Sequence, residues 1–123
     1  MYELKTITQF GAAHQLRDTG GKCENLHGHN WKIETCVKGQ ELDKNGLLVD
    51  FKDIKEAVEK IIEGLDHKFL NELEYFKDIN PSSENIARYI YEILEQALNN
   101  ENIKVSRVTV WESDSACATY TAQ

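Results

Sequence analysis

Two stretches in which apolar and polar side chains alternate constrain the fold more than any other feature of the sequence. Between Tyr2 and His14 the even-numbered positions are mostly apolar, and between His27 and Val37 the odd-numbered positions share one side. A period of two is typical of a β-strand with one buried face. Antiparallel pairing of the two strands would bring His14 close to His27 and His29, all on the apolar face.

The segment from Cys23 to His29 concentrates metal-binding side chains in seven residues. In extended backbone His27 and His29 project from the same face and can close on one ion. A catalytic zinc has three protein ligands at ~2.0 to 2.3 Å and keeps one open position. We predict His14 as the third ligand, because it ends an apolar strand that leads into the same loop. Three imidazoles would also suit nickel, cobalt or iron.

Two interpretations of this cluster differ in the role of Cys23. In an open site, a thiolate held close to a dication acts as a base, with Asp66 orienting His67 beside it. In a closed site, Cys23 completes a tetrahedron with the three histidines, and the chain is a zinc-stabilised binding protein without turnover. A third, plainer interpretation is that histidines two residues apart occur by chance and pack as ordinary core residues.

The rest of the chain adds two helices and two strands. Asp50 is placed to cap an amphipathic helix, and the serines after Pro81 are placed to start a second one. Residues 103–112 and 116–122 then alternate as strands, and Glu112 ends an apolar stripe, which makes it either a ligand anchor or an exposed strand end. The order predicts an α+β fold in which two helices cover one face of a four-stranded antiparallel sheet. Bare sheet edges predict a homo-oligomer.

Composition narrows the class of protein. A length of 123 residues favours a single domain spanning 1–123. With 14 basic and 21 acidic residues the formal net charge is −7, which argues against a nucleic-acid partner. The absence of a long apolar run and of a signal-type start predicts a cytoplasmic protein without a membrane span. Three cysteines without framework spacing predict free thiols, with Cys36 and Cys117 buried or half-buried.

Six motifs in this order resemble the 6-pyruvoyltetrahydropterin and 6-carboxytetrahydropterin synthase group of the tunnelling fold (T-fold). The resemblance covers nearly the whole chain, and several motifs in order are far more specific than one. The motifs are Phe10-Gly11-Ala12-Ala13-His14, Cys23 through Asn30, Gly46-Leu47-Leu48-Val49-Asp50-Phe51, Leu65-Asp66-His67, Pro81-Ser82-Ser83-Glu84-Asn85 and Trp111-Glu112.

The resemblance implies three groups of site residues and an assembly. The zinc ligands would be His14, His27 and His29. The proton acceptor and its relay would be Cys23, Asp66 and His67. The pterin would be held by Glu112, which also counts among the catalytic residues, and, from a neighbouring subunit, by Ser82 and Ser83. Members of the group are hexamers of two trimers, and each trimer closes a twelve-stranded barrel, which agrees with the bare edges inferred above.

The resemblance also implies a substrate, 7,8-dihydroneopterin triphosphate. Only three residues separate Cys23 from His27, which resembles the carboxy-forming synthases of queuosine and 7-deazaguanine biosynthesis. The expected products are then 6-carboxy-5,6,7,8-tetrahydropterin, acetaldehyde and triphosphate, and the rival product is 6-pyruvoyltetrahydropterin. Arg17, Lys22 and Lys68 could supply positive charge for the triphosphate, or could be scattered surface bases.

Overall fold

A computed structural model describes residues 1–20 and 25–122. The two longest strands come first, followed by the helices and a second pair of strands. The elements in order are β1 Tyr2–His14, β2 His27–Gly39, α1 Phe51–Glu63, β3 Lys68–Phe69, two short 3₁₀ turns at Leu70–Glu72 and Glu74–Phe76, α2 Ser83–Leu98, β4 Ile103–Ser113 and β5 Ala116–Thr121. This is the predicted α+β architecture, in which α1 packs over β1 and α2 packs over β4 and β5.

The sheet has five strands in the order β3-β1-β2-β4-β5, so the prediction of four strands missed one. The extra strand, β3, is two residues long and runs parallel to β1, with Ala12 opposite Lys68. A strand this short shows no alternation in the sequence. It forms because the chain leaving α1 passes along the free edge of β1, where the His67 amide donates to the Gly11 carbonyl at 2.6 Å.

Both helices begin where the sequence predicted. The Asp50 carboxylate accepts a hydrogen bond from the Lys52 amide, and the Ser82 hydroxyl accepts one from the Asn85 amide. Each cap satisfies an amide that the first turn of a helix leaves without a partner. The apolar faces of the helices then close the core over the sheet with the buried residues Ile54, Val58, Ile61, Ile62, Ile86, Ala87, Ile90, Tyr91 and Leu94.

The predicted alternation along β4 was wrong at Ser106. The partner register shifts between Cys36 and Val37, so that Arg107 faces Cys36 while Val105 faces Val37. This β-bulge adds one residue to β4 and changes the parity, because two residues on the bulged strand oppose one on its partner. Val105 and Val108 therefore both point into the core.

The cysteines only partly follow the prediction. Cys36 is buried on β2, and its burial raises the pKa of its thiol. Cys117 is exposed, contrary to expectation, because it lies on the outer strand β5 with the same parity as Thr119 and Thr121. Both thiols are free, as predicted, and Cys23 lies outside the described residues.

In the described part of the chain no helix is long and apolar enough to cross a bilayer.

Candidate active site and metal centre

The pairing of β1 with β2 brings the three predicted ligands to one end of the sheet. His14 is directly opposite His27, and His29 is opposite Ala12 on the same face. Directly opposed residues of antiparallel strands share a face, and so do positions two apart. The register that the alternating pattern fixes is therefore what makes the three imidazoles neighbours.

The side-chain atoms converge closely. His14 Nε2 lies 3.0 Å from His27 Nε2 and 3.1 Å from Glu112 Oε1. Glu112 Oε1 is also 3.1 Å from His29 Nε2 and 3.9 Å from His27 Nε2. The four ligand atoms all lie within 4.8 Å of one another, and the group could hold a metal ion.

Two backbone carbonyls determine which nitrogen of each ring carries the proton. His14 Nδ1 donates to the Pro81 carbonyl at 2.7 Å, and His27 Nδ1 donates to the Asn25 carbonyl at 2.6 Å. A carbonyl oxygen only accepts, so the proton is on Nδ1 and the Nε2 lone pair of each ring faces the cluster. Metal-bound histidines are oriented by outer hydrogen bonds of this kind.

The donor set fits a metal better than it fits a hydrogen-bonded cluster. Two Nε2 lone pairs that face each other at 3.0 Å repel unless a cation lies between them or one ring is protonated. In tetrahedral zinc geometry two such nitrogens lie about 3.3 Å apart. His29 Nε2 is buried, and its 3.1 Å contact with Glu112 Oε1 lacks hydrogen-bond geometry, which leaves the atom without a hydrogen-bond partner among the described residues. Burial lowers the pKa of His29, and His14 and His27 add to this effect, although the nearby Glu112 opposes it. The lowered pKa favours the neutral ring that a metal ligand requires.

Glu112 is the next-to-last residue of β4, near the strand end where the sequence placed it, and its carboxylate lies on the histidine cluster. Its position follows from the β2 and β4 register, which pairs Trp111 with Lys32 and so points Glu112 to the same face as His29. The carboxylate is one-third exposed and meets three imidazoles. Glu112 is thus available either to a metal ion or to a ligand that approaches it.

Asp66 and His67 form an ion-pair arrangement at the edge of β1. Asp66 Oδ1 accepts from the Gly11 amide at 2.9 Å, and Asp66 Oδ2 lies 3.0 Å from His67 Nδ1. The Asp66 carboxylate is turned onto the backbone of β1, whereas the His67 side chain is 88% exposed. His67 has φ 58°, in the left-handed region that costs a β-carbon residue roughly 1 to 3 kcal/mol and that clusters at functional sites.

A shallow groove is lined by both His67 and His29 of the histidine cluster. Its volume is about 580 Å³. It is lined by Gly11, Ala12, Ala13, Gly28, His29, Asn30, His67, Lys68 and Phe69. Glycine and alanine along the floor let a flat ligand lie against the strands, while His29 and His67 stand at its sides. The groove can therefore present one substrate to both the cluster and the Asp66–His67 pair.

The match to known proteins covers the strands, the helices and the site together. A family model described as 6-pyruvoyl tetrahydropterin synthase matches residues 3–123. The chain belongs to the 6-pyruvoyl tetrahydropterin synthase family. This confirms the family that the sequence motifs indicated.

Relatives in this family carry more than two kinds of name, among them carboxytetrahydropterin synthase, pyruvoyl tetrahydrobiopterin synthase and dihydroneopterin monophosphate aldolase. The 6-carboxy-5,6,7,8-tetrahydropterin synthase of Haemophilus influenzae is 29% identical over 98% of this chain and 99% of its own. That of Bacillus subtilis is 33% identical over 89% of this chain and 77% of its own. The solved structure of Caenorhabditis elegans 6-pyruvoyl tetrahydropterin synthase superposes with a TM-score of 0.89 at 27% identity, covering 99% of this chain and 96% of that one.

The remaining predicted site residues lie at the N-terminal end of α2 or outside the described residues. Ser82 is the N-cap of α2 and Ser83 is its first residue, and both are half-buried. The neighbouring Pro81 carbonyl contacts His14 of the same chain. Cys23, the predicted base, lies outside the described residues, as does Lys22.

Arg17 and Lys68, the two described basic residues considered for the triphosphate, differ in how they are engaged. The Arg17 guanidinium donates to the carbonyls of Phe76, Lys77 and Ile79, so its N–H groups are largely engaged within the chain. Lys68 lines the groove beside His67 and is exposed. Of these two residues, Lys68 is the one that a phosphate in the groove could reach.

Sequence reasoning missed the carbonyls of Asn25 and Pro81. Every residue carries a carbonyl, so no residue type marks the one that orients a histidine. Only the tertiary structure identifies these acceptors.

The depressed pKa of Asp66 leads to a pH-dependent prediction. The Gly11 amide, and next to it His67, hold this pKa below its ordinary value. Such a carboxylate stabilises the folded state above its unfolded-state pKa, and the contribution is lost as the pH falls through the folded-state pKa. We expect Asp66→Asn to remove this part of the acid dependence. Urea midpoints at about pH 7 and about pH 3 should then differ less in Asp66→Asn than in the wild type.

Asp114→Asn, in the turn between β4 and β5, is the matched control and should follow the wild type. If the urea midpoint fell by the same amount between the two pH values in Asp66→Asn and in the wild type, the inferred role of the Gly11 contact would be contradicted.

Proposed function

We propose that this chain is a zinc-dependent 6-carboxy-5,6,7,8-tetrahydropterin synthase. It converts 7,8-dihydroneopterin triphosphate and water to 6-carboxy-5,6,7,8-tetrahydropterin, acetaldehyde and triphosphate, as part of queuosine or 7-deazaguanine biosynthesis. The observation that carries the proposal is the convergence of three Nε2 atoms and Glu112 in one cluster, of which His29 also lines the groove, in a chain of this family.

The proposed ligands are His14, His27 and His29. When bound there, zinc supplies a Lewis acid that polarises a substrate hydroxyl or carbonyl and acidifies the neighbouring carbon. The carbonyls on the two Nδ1 atoms hold His14 and His27 in the tautomer that this binding requires.

The proton transfers are assigned to Cys23 with Asp66 and His67. Asp66 fixes His67 through Nδ1, which leaves the lone pair on Nε2 of a side chain that lines the groove. A histidine held in this way can take a proton from a thiol or return one to it. Cys23 is proposed as that thiol from its position in the motif, four residues before His27.

The pterin is assigned to Glu112, Ser82 and Ser83. A carboxylate accepts two hydrogen bonds from a guanidine-like edge, which is the geometry that a pterin ring offers. Glu112 is close enough to the histidines that a pterin on its carboxylate would have its side chain near the cluster. The two serines are proposed to reach the pterin of a neighbouring subunit.

We propose a homohexamer of two trimers. The outer strand β5 and the two-residue β3 leave backbone groups along the sheet edges for pairing with other copies. The exposure of His67 is consistent with a site that a second subunit completes. Sedimentation equilibrium of the purified protein would measure the assembly.

The carboxy-forming reaction is preferred over the pyruvoyl-forming one on two observations. One is the short spacing between Cys23 and His27. The other is the name carried by the relatives from Haemophilus influenzae and Bacillus subtilis. The pyruvoyl-forming reaction is the second candidate, because the structural neighbour from Caenorhabditis elegans is named 6-pyruvoyl tetrahydropterin synthase.

A product assay separates these possibilities. The zinc-loaded protein is incubated with 7,8-dihydroneopterin triphosphate, acetaldehyde is trapped and the pterin is identified by mass. We expect acetaldehyde and 6-carboxytetrahydropterin in equal amounts. A 6-pyruvoyl pterin without acetaldehyde would replace the proposal with the pyruvoyl-forming reaction. Zinc binding without any turnover would favour the closed site of a binding protein.

A further inference from the structure

The chain that leaves β1 is held by two asparagine side chains as if the sheet continued. Asn71 accepts from the Gln15 amide at 2.9 Å and donates to the Gln15 carbonyl at 2.7 Å. Asn80 does the same for Arg17, at 2.8 and 3.0 Å. Each side-chain amide thus replaces a peptide group of a neighbouring strand. The residues directly after His14 are fixed although they belong to no strand.

The Arg17 side chain in turn fixes residues 76–80, which lie against it. It donates to the carbonyls of Phe76 at 2.6 Å, Lys77 at 2.9 Å and Ile79 at 2.7 Å, and its Nε is 3.3 Å from Asn80 Oδ1. Residues 77–82 form neither helix nor strand. These contacts therefore take the place of the backbone hydrogen bonds that a regular element would provide.

This segment carries the acceptor for a proposed metal ligand. The Pro81 carbonyl, directly after Asn80, accepts from His14 Nδ1 at 2.7 Å. Asn80 is held on one side by Arg17 and, through its carbonyl, by Asn85 Nδ2 at 2.8 Å. On the other side Ser82 is fixed as the N-cap of α2, and the proline ring restricts φ between them. The Pro81 oxygen is thus fixed from both directions against a ring that is 1% exposed.

We propose that Arg17 and Asn80 are positioning residues for the metal centre. They hold the Pro81 carbonyl on His14 Nδ1, and this contact keeps the His14 Nε2 lone pair directed at His27 and His29. The inference rests on the proposed zinc site. It gives Arg17 a role different from phosphate binding, because its guanidinium is directed to the chain's own carbonyls.

The test measures zinc affinity of the folded protein by competition with a chromophoric chelator. Arg17→Gln removes the guanidinium, Asn80→Ala removes the paired amide, and Asn80→Asp keeps the oxygen that accepts from Arg17. The matched control is Arg88→Gln, since Arg88 is exposed on α2 and pairs only with Glu92 among the contacts described. The tautomer of His14 is read in the zinc-free protein by nitrogen-15 NMR.

We expect Arg17→Gln and Asn80→Ala to weaken zinc binding about tenfold, at the lower end of the range for outer contacts of metal ligands. Both should lose the fixed Nδ1–H tautomer of His14. Asn80→Asp should stay within about twofold of the wild type, and Arg88→Gln should be unchanged.

A lowered melting temperature with unchanged zinc affinity and an unchanged His14 tautomer would show a purely structural role and overturn the inference alone. A wild-type protein that binds no zinc would overturn the proposed function, and the inference with it. If Arg17→Gln fails to fold, the contrast between Asn80→Ala and Asn80→Asp decides the question.

Discussion

His29→Ala is expected to lose zinc and turnover together while the fold is retained. The buried His29 Nε2 lies 3.1 Å from Glu112 Oε1 without hydrogen-bond geometry, so removing the imidazole abolishes one ligand and loses this contact but no described hydrogen bond. Losing an outer contact of a ligand already costs about 10- to 100-fold in metal affinity, so losing the ligand itself should cost more than about 100-fold. Zinc content after dialysis, circular dichroism and the acetaldehyde assay measure the three quantities.

His67→Ala is the matched control, because the same ring is removed from an exposed position outside the cluster. It should keep zinc and lose turnover through the proposed relay. If His29→Ala retained zinc at wild-type affinity, the assignment of the metal to these histidines would be wrong. If His67→Ala lost zinc as well, the ion would have to be sought nearer the Asp66–His67 pair.

Cys23→Ala is expected to keep zinc and the fold but to lose turnover by about 10²- to 10⁴-fold, the usual contribution of a general acid–base group. The reason is that the motif from Cys23 to His29 assigns metal binding to the histidines and proton transfer to the thiol. Three histidines suffice for an open metal site, which leaves the thiol free to act as the base. Isothermal titration with zinc and the product assay would be run on the same preparation.

Cys117→Ala serves as the control, since Cys117 is an exposed thiol on β5. It should leave zinc binding and turnover unchanged. Release of zinc from Cys23→Ala, or on alkylation of Cys23, would instead support the closed site in which the thiol is the fourth ligand. Full activity of Cys23→Ala would remove Cys23 from the proton transfer.

Asp66 and Glu112 show where sequence reasoning reached its limit. The sequence singled out both carboxylates, because each stands among apolar neighbours near a strand or helix end. It did not predict that Asp66 would bind the Gly11 amide, or that Glu112 would lie 3.1 Å from two imidazoles. Both contacts join segments more than fifty residues apart, and no local pattern encodes such a distance.

The sequence by itself determined the four longer strands, the two helices, their caps and the meeting of His14 with His27 and His29. Side-chain period and capping residues are local properties, and along β1 and β2 the period is enough to fix which face each residue occupies. The tertiary structure decided the bulge at Ser106, the outward direction of His67 and the carbonyls that orient the histidines. These three features depend on how the backbone of one segment packs against another segment. The sequence does not mark such contacts, because nearly every residue carries the same backbone groups.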